Sequence, residues 1–175
     1  MNINELPWTG ERLVPSIKNY GAIEHLHRYA LAAEFVENKI VADVACGEGY
    51  GSNILSQKAK MVIGVDISNE AVVHANTKYS SSKLKYLKGS VDQLPLESSS
   101  IDVFVSFETI EHITVQEQML SEITRVLKRE GMLIISSPEK SNYQDKQVEK
   151  NQFHAKELYF NEFKNLINNY NSIKL

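Results

Sequence analysis

The run Val41–Val44, apolar apart from Asp43, empties directly into a turn with glycine at every second position: Gly47, Gly49 and Gly51. The residues that follow, "GYGSNILSQ", open a helix. A strand that breaks into a glycine-rich turn and then a helix is one βα unit, and glycine at such a turn lets the backbone be approached closely. The pattern repeats along the chain, and that repetition is what most restricts the fold.

Met61–Asp66 is a second strand ending on an acid, and Ser68 can cap the helix carried by "NEAVVHANTKY". Leu84–Gly89 is a third strand, and Ile101–Phe107, after the turn-like "ESSS", is a fourth. Thr114 with Glu117 reads as a capping box opening a helix with Leu120, Ile123 and Leu127 on one face, stopped at Gly131. Met132–Ser137 is a fifth strand, nearly all apolar as expected of a strand covered on both faces. "EHLHRYALAAEFV" (24–36) and "AKELYFNEFKNLINNY" (155–170) read as a first and a last helix, and "SIKL" hints at a sixth strand. The expected fold class is α/β: a doubly wound, Rossmann-like, mostly parallel sheet with helices on both faces and its C-terminal strands cut short. Ligands of such sheets sit at the carboxyl ends of the strands, near the point where strand order reverses.

The chain of 175 residues reads as one domain, with an irregular arm over 1–23, a core over 24–140 and a last segment over 141–175. A formal charge of -3 argues against a nucleic-acid partner held by phosphate neutralisation, and "KLKYLK" (83–88) reads as a solvated strand face. No apolar segment is long enough to span a bilayer, and the N-terminus lacks the charge and apolar pattern of a signal peptide. Cys46 is the sole cysteine, which excludes intrachain disulfides and makes the cytoplasm the default compartment.

The glycines spell G-x-G-x-G, one place short of the G-x-G-x-x-G dinucleotide fingerprint, with Ser52 where the third glycine would stand. Asp43 followed by "ACGEG" instead resembles the first motif of the class I S-adenosylmethionine-dependent methyltransferases, of the type 11 kind. Further segments resemble that family in order: Asp66 ending the second strand, "GSVDQLPL" (89–96), "IDVFVSFETIEHI" (101–113) and "REGMLIISSP" (129–138). The resemblance implies S-adenosylmethionine as cofactor and transfer of its methyl group. It places Asp43, Ala45, Gly47 and Gly49 about the amino-acid end, and Asp66 with Ile67 on the ribose and its surroundings. Ser90 and Val91 fall on the adenine edge, with Ser90 where an aspartate is usual and Val91 offering its N–H. Phe107 and Glu108 fall beside the methionine moiety. Arg12 or Arg28 is a candidate fork for the cofactor's carboxylate, against plain pairing with Glu11 or Glu24. The equal alternative for Asp43 is to fix the glycine turn by accepting backbone N–H bonds; Cys46 reads as packing under the cofactor rather than as a nucleophile, and Glu48 as a helix N-terminal charge.

Methyl transfer to a hydroxyl requires a base, and His112 and His154 are the candidates, with Glu111 able to orient His112. The alternatives are a loop-orienting role for His112 and a solvated helix-terminal position for His154. Glu111 and His112 are two ligands at most, so no metal is assigned. "WTGERLVPS", "EHLHRYALA" and "NQFHAKEL" resemble bacterial methyltransferases of surface-polysaccharide and lipopolysaccharide assembly, which implies a sugar or glycan hydroxyl as acceptor. In that picture Trp8, Tyr20 and Tyr29 fold over the pocket. The fifth strand would be an open edge, for which a second copy of the chain is a candidate cover. A cofactor- or partner-binding domain without turnover, and a nicotinamide-dependent oxidoreductase, are the competing classes.

Overall fold

The computed structural model describes residues 20–142, 151 and 153–169. Its elements are α1 (Tyr20–Ala32), β1 (Ile40–Val44), α2 (Tyr50–Ser56), β2 (Met61–Asp66), α3 (Asn69–Lys78), β3 (Leu84–Lys88), β4 (Ile101–Phe107), α4 (Gln116–Val126), β5 (Leu127–Ser136) and α5 (Phe160–Asn168). The five strands form one sheet in the order β3-β2-β1-β4-β5, and every pairing is parallel. Order reverses between β1 and β4, as a doubly wound sheet requires. Among the described residues no helix is long and apolar enough to cross a membrane.

The two-residue period of the strands builds a core on each face. Val41 and Val103 point to one side, against Tyr29, Val36 and Leu55 of α1 and α2 and their flanks. Ala42 and Phe104 point to the other, against Leu120, Ile123 and Val126 of α4 and Ile167 of α5. The expected cap at Ser68 forms: its Oγ accepts the Ala71 N–H at 3.2 Å.

Four expected helix ends are corrected, and the fifth strand begins at Leu127 rather than Met132. α1 starts at Tyr20 and stops at Ala32, earlier than the 24–36 segment at both ends. The Thr114–Glu117 capping box does not form; Val115 is the N-cap, without a side-chain bond. The turn there is held by Gln116 instead, whose Nε2 donates to the carbonyls of Ile110 (2.9 Å) and Lys156 (3.1 Å). α4 ends at Val126 rather than at Gly131, because the N–H groups of Ser99 and Ser100 take the carbonyls of Arg125 and Val126 at 2.9 Å each. Gly131 lies in an irregular stretch of β5, where a Cβ would sit 2.8 Å from the Leu127 side chain and 2.9 Å from the Lys128 carbonyl. α5 starts at Phe160, not at Ala155, since the N–H groups of Ala155 and Lys156 are already bonded to the Glu111 carbonyl at 2.8 and 3.0 Å. Trp8, Arg12 and the "SIKL" segment lie outside the described residues.

Candidate active site

A cleft of about 440 Å³ opens at the carboxyl ends of the strands and straddles the β1–β4 reversal. Its wall takes Ala45 and Gly47 after β1, Asp66 and Ile67 at β2, Ser90 and Val91 after β3, and Phe107 and Glu108 at β4. The position follows from parallel strands: all their side-chain-bearing loops emerge at one edge, and the order reversal parts them.

Asp66 organises the glycine turn. Its Oδ2 accepts the Gly47 N–H at 2.8 Å and its Oδ1 accepts the Ser68 N–H at 2.9 Å. A carboxylate has about four acceptor sites, so two stay available for the vicinal hydroxyls of a ribose. Beside it Ile67 is 71% exposed, an apolar side chain at the cleft wall suited to a flat ring. Asp92 also lines the cleft and accepts a hydrogen bond from Ser90 Oγ, so it brings a carboxylate to a place where residue 90 has none. These groups fit a nucleoside.

The three glycines have different reasons to be small. Gly47 lines the cleft in a left-handed conformation, φ 54°. Gly49 is also left-handed, φ 88°, but a Cβ there would meet Ala75 and the Tyr86 ring at 2.8 Å. At Gly51 a Cβ would lie 2.0 Å from the Tyr29 ring. Gly49 therefore has a packing reason to be small, and it does not itself line the cleft.

Asp43 is fully buried below the turn and does not reach the wall. Its Oδ1 accepts from Tyr29 Oη at 3.0 Å and its Oδ2 from Ser52 Oγ at 2.6 Å. Burial raises its pKa from 3.8 to about 6, and the two hydroxyls pull in the other direction. Asp43 thus ties α1 and α2 to β1, while the backbone N–H of the turn is held by Asp66. Burial also pushes the Cys46 thiol well up, which suits a packing residue and not a nucleophile. Glu48 is no simple terminal charge: its buried Oε2 lies 3.3 Å from His74 Nε2 and 3.4 Å from Lys78 Nζ, pinning α3 to the turn.

Two non-glycine residues of the wall have left-handed backbones, Ala45 (φ 62°) and Glu108 (φ 50°). Such positions concentrate at functional sites, where surrounding structure sustains the strain. Glu108 Oε1 accepts from Ser136 Oγ at 2.6 Å and lies 3.6 Å from Arg28 Nη2. Arg28, which also faces Glu24 at 3.9 Å, is engaged by carboxylates and does not line the cleft. His25, Tyr29 and Tyr50 do line it, though the sequence singled out only Tyr29 of the three. Tyr50 Oη and His25 Nδ1 are 3.2 Å apart, and burial, then Arg28, lowers the His25 pKa. Tyr20 begins α1, and Tyr29 packs edge-on against Tyr50 and Phe107.

At the far end, Glu111 and His112 occupy a short 3-10 turn after β4. His112 lines the cleft; Glu111 is buried beneath it, with Oε2 accepting from Ser137 Oγ at 3.3 Å. His154 stands edge-on to His112 with ring centroids 4.8 Å apart, and its Nδ1 is 2.5 Å from Glu157 Oε1. Its side chain is 7% exposed, so it is no solvated helix terminus. Glu157, buried and three residues after His154, was not picked out; the H-x-x-E spacing was the available signal.

A family model described as "Methyltransferase domain" matches residues 42–135. A probable S-adenosylmethionine-dependent methyltransferase of Mycolicibacterium smegmatis is 35% identical over 156 residues, 87% of this chain and 60% of that protein. The ubiquinone/menaquinone biosynthesis C-methyltransferase UbiE of Campylobacter jejuni is 31% identical over 102 residues, 54% of this chain and 43% of that protein. The chain thus spans about three fifths, or less, of the length of these relatives. Among solved structures, an S-adenosylmethionine-dependent methyltransferase from Aquifex aeolicus shares the fold with a TM-score of 0.72 at 20% identity, over 91% of this chain and 88% of that one.

Proposed function

The chain belongs to the methyltransferase domain family, and on that premise we propose that it moves the methyl group of S-adenosylmethionine onto a hydroxyl oxygen of a sugar or glycan. The cofactor is supported by the Asp66 carboxylate, fixed by two backbone N–H groups with acceptor sites to spare beside an exposed Ile67. The observation that carries the oxygen acceptor is His112 on the wall of the same cleft, with the His154 ring edge-on against it.

The cofactor supplies an electrophilic methyl carbon on sulfur. The chain's task is to align the acceptor with that carbon, exclude water and receive a proton. Asp66, Ile67, Ser90, Val91 and Asp92 would hold the nucleoside, and Ala45, Gly47, Phe107 and Glu108 would hold the methionine portion. His112 Nδ1 lies 3.1 Å from the Phe153 carbonyl, which can only accept. Nδ1 therefore carries the hydrogen, and Nε2 is the basic nitrogen facing the acceptor's proton. Residues 24–140 form the cofactor-binding part and 141–175 the acceptor side in this reading. The glycan class rests on the flanking "EHLHRYALA" and "NQFHAKEL" segments.

Asp66→Ala is expected to weaken S-adenosylhomocysteine binding by about 10–100-fold, the loss of a charge-assisted contact of about 1–3 kcal/mol. Isothermal titration with unchanged affinity contradicts the cofactor site. His112→Ala should lower turnover on sugar nucleotides, followed by mass spectrometry, far more than it lowers cofactor affinity. A second reading, transfer to carbon, is favoured by the likeness to UbiE, whose name gives it as a C-methyltransferase. Methylation of a quinol precursor with none of any sugar nucleotide would select it. Cofactor binding with no transfer to either would select a domain without turnover.

A further inference from the structure

We propose that Glu111, His112 and His154 form a binding site for a divalent transition-metal ion of the zinc class at the acceptor end of the cleft. The sequence separates the first two from the third by all of α4 and β5, but one ligand atom from each residue lies within 4.8 Å of the others. Two imidazoles and a carboxylate are a recurring three-ligand set for such ions, which leave a further position open for water or substrate.

The site is built from its outer layer inward. The two segments that carry the ligands are joined by backbone: the N–H groups of Ala155 and Lys156 donate to the Glu111 carbonyl, and Gln116 bridges Ile110 and Lys156. The ligand positions thus do not depend on contacts among the three side chains. Each imidazole is oriented through its Nδ1, His112 by the Phe153 carbonyl at 3.1 Å and His154 by the Glu157 carboxylate at 2.5 Å. Both partners accept, so each ring carries a hydrogen on Nδ1, which makes Nε2 the nitrogen able to ligate when the ring is neutral. A histidine whose second nitrogen donates to a carbonyl or carboxylate is the usual arrangement around bound metals.

The side chains of Glu111 and Glu157 are buried, 1% and 2% exposed, so both carboxylates lie out of bulk water. Imidazole ligands favour zinc, iron or nickel over magnesium, whose preference is for oxygen alone. Ion pairing within the cluster is the competing account, and it calls for no stoichiometric metal.

This proposal rests on the reading that the acceptor hydroxyl enters at His112, and it changes the route of the proton. A hydroxyl on the ion is acidified and releases its proton to solvent at the cleft mouth. Its oxygen then bonds the methyl carbon as the carbon–sulfur bond breaks, the electron pair returning to sulfur.

The test uses the full chain stripped of metal, titrated with zinc and, separately, with magnesium. One equivalent of zinc should bind, with magnesium far weaker. His112→Ala and His154→Ala should each abolish stoichiometric zinc binding, and Glu157→Gln should weaken it by about 10–100-fold. His27→Ala, at an exposed histidine, should leave it unchanged. Thermal melts of the metal-free variants check folding; should His154→Ala unfold, His112→Ala decides, its side chain being 28% exposed. No stoichiometric zinc in the unaltered chain, or binding indifferent to both histidines, overturns the proposal. S-adenosylhomocysteine titrated into the same metal-free sample keeps the two readings apart. Its binding without zinc binding sinks only the metal site, and zinc binding alone sinks the methyl-transfer reading.

Discussion

On the glycine-turn side of the cleft, Asp66 holds the Gly47 N–H across 19 residues, and Ser68, two residues on, completes the grip. On the histidine side, His112 meets the Phe153 carbonyl across 41 residues, and Gln116 reaches Lys156 across 40. The first wall is made of two adjacent βα units, each with its own turn chemistry. The second depends on a segment returning from beyond β5 to lie against the loop after β4. One wall is therefore local and set by motif, and the other is assembled by distant packing. Damage to the second should leave the first intact, whereas damage below the glycine turn should reach both.

Gly51→Ala should break this separation most severely. The new Cβ would stand 2.0 Å from the ring of Tyr29, which is boxed by Tyr50 and Phe107 and tied to Asp43. Overpacking of that kind costs about 3 kcal/mol or more, read by urea unfolding, and should lower S-adenosylhomocysteine affinity as well. A neutral result would mean that α1 yields freely.

Asp43→Asn probes the same support through pH. The Asp43 pKa is 3.8 ordinarily and about 6 when folded, so between those values the native state holds a proton that the unfolded chain has lost. Its contribution to stability is therefore fully present below pH 3.8 and lost as pH rises through 6. The loss is on the order of 2–3 kcal/mol for a shift of this size. Asp43→Asn should remove that part of the fall, seen by comparing urea unfolding of both proteins across the window. Identical slopes would show that Asp43 is solvated in the native state.

The smallest effect, and the one that sharpens the comparison, is expected of Gln116→Leu. It strips the carbonyls of Ile110 and Lys156 of a donor and should cost about 1–2 kcal/mol. Affinity for S-adenosylhomocysteine should stay unchanged while turnover falls. A matching loss of cofactor affinity would show that the two walls act as one unit.

The strands from Met61 to Asp66 and from Ile101 to Phe107 were read with their observed bounds, and the turn at Gly47 and the acid at Asp66 with their place at the cleft. What lies beyond any local pattern involves partners distant in the chain. Asp43, expected either at the cofactor or as a fastener of the turn, answers to Tyr29 and Ser52 hydroxyls. Gly49, expected at the amino-acid end of the cofactor, also makes room for Ala75 and Tyr86. The helix ends at Gly131 and Ala155 were displaced because backbone groups of Ser99, Ser100 and Glu111 claimed the same partners.

By itself the sequence determined the doubly wound sheet, the location of the glycine turn and the acid that serves it, because strand periodicity and turn chemistry act over a few residues. Only the tertiary structure decided that His154 lies against His112, that Glu157 orients it, and that Arg28 is engaged by Glu108. Those pairings are made by loops meeting across the sheet's end, and no local periodicity records which distant loops will meet.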